Sequence, residues 1–78
     1  MLPFVEVDRK RVHDVVLYHF VFFIRQYLSS DLNYDGQEII PKNRYIPLEY
    51  YGRKYDISFK FKDHIVFIEI KTKKLQSP

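Results

Sequence analysis

The 78-residue chain predicts an α+β fold in which one long N-terminal helix lies on a three-stranded, mostly antiparallel sheet. Three observations carry that expectation. An apolar stretch near the N-terminus, with a capping residue before it, is too long for a strand. Two short segments in the last third alternate apolar and polar residues, and turn-forming residues bound both. The chain has no cysteine, so neither disulfides nor a thiolate zinc site can add stability. Chains this short leave much of their surface exposed. Aromatic packing, from seven Phe and seven Tyr, and self-association are the remaining ways to add burial.

Residues 1–8 read as an extended lead-in, and Asp8 is placed to cap a helix over 9–30 by accepting from its first free amides. A helical wheel puts Val12, Val16, His19, Phe20, Phe23 and Tyr27 on one face, expected to cover the sheet, with His19 as a packed core residue. Lys10, Asp14 and Arg25 lie opposite. Leu17, Tyr18, Val21 and Leu28 share the charged side, where a helix covered on one face only should not carry large apolar residues. Either a neighbouring segment covers that arc or it is a homodimer contact. Asp31 to Gln37 reads as a loop, with a turn at Asp35-Gly36. The sheet is expected over 38–72. Its first strand comes from Glu38-Ile39-Ile40 and Arg44 to Tyr51, and Pro41 and Pro47 restrict it to an edge or to bulged positions. Residues 73–78 form a polar, basic, flexible tail, and 1–78 make a single domain.

The apolar run from Val15 to Ile24 falls short of the roughly 20 residues of a membrane span. No basic segment precedes an apolar run at the start, so a soluble, intracellular, cytoplasmic protein without a membrane partner is expected. The net charge is +3, and Arg53, Lys54, Lys60, Lys62, Lys71, Lys73 and Lys74 crowd the last third. Such a surface attracts polyanions, although many lysine-rich faces are only solvated. Tyr45, Tyr50, Tyr51 and Tyr55 could stack on bases beside Arg44 and Arg53 or pack across strands. His13, His19 and His64 show no metal-ligand spacing, and His64 falls in a solvated turn.

The hairpin carries the chemistry. Ile57, Phe59 and Phe61 alternate with Asp56, Ser58, Lys60 and Lys62; Val66, Ile68 and Ile70 alternate with Ile65, Phe67, Glu69 and Lys71. Because strand side chains change face at each residue, pairing the two apolar sides fixes the register. A turn at Lys62-Asp63 sets Asp56 opposite Glu69, and one at Asp63-His64 sets it opposite Lys71. Either register groups Asp56, Glu69 and Lys71 on the second face. Two adjacent carboxylates repel, and a hard divalent cation relieves the repulsion. Oxygen-only donors suit Mg²⁺ or Mn²⁺, which activate water beside a phosphate. A cross-strand ion pair between Asp56 and Lys71 would use the same residues without chemistry.

Tyr55-Asp56-Ile57 followed by Ile65-Val66-Phe67-Ile68-Glu69-Ile70-Lys71-Thr72 resembles the signature of the PD-(D/E)XK nuclease superfamily, which includes restriction endonucleases and archaeal Holliday junction resolvases. The motif covers the last third of the chain, and the element order (long helix, strand, motif hairpin) resembles a minimal, truncated restriction-endonuclease-like core. That resemblance implies a metal-dependent endonuclease acting on DNA, branched DNA included. It implies Asp56 and Glu69 as ligands of Mg²⁺ or Mn²⁺, the Ile70 carbonyl as a further ligand and Lys71 as the catalytic lysine. Many members carry an added acid on the first helix, for which Asp14 is the candidate. Arg53, Lys54, Lys60, Lys62, Lys73 and Lys74 are the candidate DNA contacts. Two other classes stay open: a nucleic-acid-binding protein without catalysis, and a small interaction subunit of a larger complex.

Overall fold

The computed structural model describes residues 9–37 and 40–72. The lead-in, the Asp8 cap, Glu38-Ile39, Lys73, Lys74 and the tail lie outside the described residues. Helix α1 (Arg9–Phe23) continues into a π turn (Ile24–Leu28) and stops at Ser29, whose left-handed conformation (φ 49°) breaks the helical path. The strands are β1 (Leu32–Tyr34), β2 (Glu49–Tyr50), β3 (Arg53–Lys54), β4 (Ile57–Phe61) and β5 (His64–Ile68). β1, β4 and β5 form an antiparallel sheet with β4 at its centre, and β2 and β3 form a separate hairpin. The fold is thus α+β, one N-terminal helix with a three-stranded antiparallel sheet plus a hairpin.

Two expectations need correction. The first strand of the sheet is Leu32–Tyr34, inside the segment read as a loop, and Arg44 to Tyr51 contributes only Glu49–Tyr50, to the other hairpin. Leu32, Asn33 and Tyr34 make too short a run to register as an alternating strand, yet Leu32 and Tyr34 are buried beside Phe59 and Ile57. Pro41 and Pro47 lack the N–H that a strand ladder needs, which accounts for the loss of the other segment.

The second correction concerns which side of the helix faces inward. Leu17, Val21 and Ile24 are the buried positions, packed with Leu32, Tyr34, Ile57 and Phe59, while Tyr18 is half-buried against the same core. Phe20, Phe23 and Tyr27 face solvent, and His19 is exposed. Leu17, Tyr18 and Val21 therefore cover the sheet and are not an open arc; Leu28 remains exposed. This helix is apolar nearly all round, so the wheel favoured bulk. A three-stranded sheet instead accepts the smaller aliphatic side chains, which allow closer approach and place α1's polar first turns over the sheet's end.

Asp35 to Gln37 and Ile40 are held by two tyrosines. The buried Tyr34 hydroxyl donates to the Ile40 carbonyl (2.6 Å) and accepts from the Ile40 N–H (3.1 Å). The Tyr18 hydroxyl donates to the Gln37 carbonyl, and it would sit 3.1 Å from a Cβ placed on Gly36, whose φ of 153° also favours glycine. Among the described residues, no helix is long and apolar enough to cross a membrane.

Candidate active site

The β4–β5 hairpin turns at Lys62-Asp63, with Phe61 paired to His64 and Ile57 to Ile68. This is the first of the two registers the sequence allowed, and it brings Asp56 and Glu69 to the adjoining ends of neighbouring strands. Asp56 is fixed there on several sides. Its N–H donates to the Ile68 carbonyl (3.1 Å), and its carbonyl accepts from the Asp35 N–H (2.8 Å). Its carboxylate Oδ2 accepts from the Ile70 N–H (2.7 Å). The side chain thus closes the sheet's end, since it ties the residue after Glu69 to the start of β4.

Helix α1 supplies the other wall. His13 Nε2 lies 3.4 Å from Asp56 Oδ2, and His13 Nδ1 lies 3.4 Å from Asp14 Oδ1. Burial acts to lower the His13 pKa, but the hydrogen bond its ring donates to Asp14 and the charge of Asp56 outweigh it, and the net shift is upward. A cleft of about 470 Å³ opens here, bounded by Lys10, His13 and Asp14 from α1, Asp35 to Gln37 from the loop, and Asp56. Asp14, entered as a candidate from the helix, does share the Asp56 cleft. His13 and Asp35 were missed. The available signal was the stripe Leu17, Val21, Ile24: extended back toward the N-terminus, its polar continuation passes through Lys10 and His13-Asp14.

Glu69 has a different partner. Its carboxylate is bridged by the Arg53 guanidinium, which also stands 5.4 Å from the Tyr55 ring. Tyr50 and Tyr55 pack on Phe67, with ring centroids 5.3 and 5.2 Å away, so the β2–β3 hairpin and its arginine are seated beside Glu69. The cross-strand ion pair of this region therefore joins Arg53 and Glu69. Lys71 is exposed, just past the end of β5. Among the described residues, no group of three or more His, Asp or Glu is gathered to hold a metal.

Among the described residues, the candidate DNA contacts do not form one patch. Arg53 serves Glu69, and Lys54 pairs with Asp35 at 3.2 Å. Lys60 and Lys62 are exposed at the turn end of the hairpin, away from the Asp56 end. At about 3.3 Å per strand residue, the length of β4 separates the two ends. No family model, curated protein or solved structure matches the chain.

Proposed function

We propose that this chain is a divalent-metal-dependent endonuclease domain that hydrolyses phosphodiester bonds in DNA. The observation that carries this is the β4–β5 register, which sets the motif residues Asp56 and Glu69 at adjoining strand ends with Lys71 farther along the chain. Asp56 and Glu69 hold the cation, and the Ile70 carbonyl is a further donor. The donor set fits Mg²⁺ or Mn²⁺ rather than zinc. Magnesium keeps several waters and is commonly held through one or two carboxylates plus substrate phosphate, so it needs no closed cage of side chains. When bound, the ion supplies Lewis-acid polarisation of the phosphate and a water of lowered pKa.

The chain's own groups do the remaining work. Arg53 is half exposed where it meets Glu69, and exposed pairs of this kind contribute only about 0–1 kcal/mol. With an ion held at Glu69, Arg53 would be free to take a phosphate oxygen. Lys71 orients the attacking water and offsets charge as it builds on the phosphate. The choice of DNA, and of branched DNA as substrate, rests on the family resemblance alone. The bridge that already neutralises Glu69 favours a second reading, a DNA-binding domain that does not cut.

Supercoiled plasmid and a four-way junction, incubated with Mg²⁺, Mn²⁺ or EDTA, test the proposal. Asp56→Asn keeps an acceptor for the Ile70 N–H, and Lys71→Ala alters an exposed side chain, so both variants should stay folded. Metal-dependent cutting that falls about 100-fold or more in each variant is the expected result. Binding without cutting in either metal overturns the enzyme in favour of the second reading.

A further inference from the structure

The side of the helix turned away from the sheet is aromatic and open. Val12, Val15, Phe20, Phe22, Phe23 and Tyr27 are all exposed, and Phe23 and Tyr27 support one another with ring centroids 5.0 Å apart. A hollow of about 540 Å³ lies on this face among Val16, Phe20, Phe23 and Tyr27, with His19 and Gln26 at its edge, and no lysine, arginine or carboxylate lines it.

We propose that a second copy of this chain occupies the face, helix against helix, in an isologous dimer. This is independent of the nuclease proposal. Four features favour that occupant. Val12, Val16, Phe20, Phe23 and Tyr27 recur at intervals of three and four residues, the spacing of a seam that receives another helix. The exposed fractions (38% for Val12, 43% for Phe20, 51% for Phe23, 68% for Tyr27), with Val15 and Phe22 beside them, leave on the order of 600 Å² of apolar surface per copy. That compares with about 800 Å² per partner in stable interfaces of standard size. Each copy carries a net charge of +3, so association needs a contact free of like charges, and no lysine or arginine lines the hollow at the centre of this face. An isologous contact also needs projection and recess on the same patch, and here the rings flank the hollow.

Sedimentation of the full chain between about 5 and 100 µM tests the proposal, since contacts of this size reach micromolar affinity. The expected particle approaches twice the 9.6 kDa chain mass, and Phe20→Glu and Tyr27→Glu return it to one chain with an unchanged circular dichroism spectrum. Should those variants unfold, a spin label on His19→Cys decides, because the chain has no cysteine of its own. Paired helix axes run about 8–10 Å apart, so mid-helix labels should sit within about 20 Å. A single-chain mass at every concentration overturns the proposal, whether or not the protein binds phosphatidylcholine vesicles. So does a dimer that survives both charge substitutions in folded protein, or one whose labels lie beyond about 35 Å.

Discussion

β4 and β5 pair over five residue couples around Lys62-Asp63 and bury Ile57, Ser58 and Phe59, whereas β2 and β3 pair over two couples around Tyr51-Gly52 and leave all their strand residues exposed. The longer hairpin takes its register from burial, because a slip by one residue would carry Ile57 and Phe59 out of the core. Its turn is a poor one locally: Lys62 sits at φ 46°, a conformation that costs a lysine about 1 kcal/mol or more. The shorter hairpin has little burial to direct it. Its turn has φ 50° at Tyr51 and 75° at Gly52, the paired positive values that match strand twist. Core packing overrides turn chemistry in the longer hairpin; in the shorter one Gly52 suits its position, Tyr51 carries the same left-handed cost as Lys62, and the rings of Tyr50, Tyr51 and Phe67 pack together.

The largest expected effect separates the two directly. Ile57→Ala removes a fully buried side chain from the central strand and should lower unfolding free energy by roughly 2–5 kcal/mol. Tyr50→Ala, on a half-exposed ring, should cost about 1 kcal/mol or less. Urea denaturation of both variants measures the contrast, and equal losses would abolish it. The turns come next. Gly52→Ala meets no neighbouring atom, so its cost of about 1–2 kcal/mol is purely conformational. Lys62→Gly should act oppositely, raising stability by about 0.5–1 kcal/mol. A loss at Lys62→Gly would mean that this turn is not under backbone strain.

The smallest effect concerns the tie between α1 and the Asp56 end of the longer hairpin. His13 has a pKa raised above its usual 6.5 in the folded state. Its contribution is fully present below about 6.5, the unfolded value. It is lost as pH rises through the higher folded value. The stability gap between wild type and His13→Asn should therefore narrow as pH rises above about 6.5. A gap that widens with pH would show that His13 is not held by the carboxylates of Asp14 and Asp56.

The motif hairpin was legible because its alternating apolar residues pair strand to strand and Ile57 and Phe59 among them are buried, although Ser58 between them is buried too and Phe61 is exposed. Ambiguity remained only in the turn, and the Phe61–His64 pairing resolves it. Leu32–Tyr34 was hidden by its brevity and by the Asp35-Gly36 turn signal beside it. The inward face of α1 was hidden for another reason. When both sides of a helix are apolar, hydrophobicity does not choose between them; the shape of the sheet does. At the candidate site, the register sets Asp56 and Glu69 at adjoining strand ends as their spacing implied, and Lys71 lies exposed beyond β5. His13, Asp35 and the Arg53–Glu69 bridge depend on how α1, β1 and the β2–β3 hairpin meet, which no local pattern encodes.

One phenol, that of Tyr34, grips both the N–H and the C=O of Ile40. The segment from Asp35 to Gln37 that borders the cleft hangs from the sheet at Asp35 and from the Tyr18 hydroxyl of α1 at Gln37. The position of that rim is set by Tyr18 of α1 and by the Asp35–Asp56 backbone bond as well as by β1. Asp35 and Gln37 are consequently free to be exchanged during evolution or engineering, retuning what the mouth admits while its frame stays put.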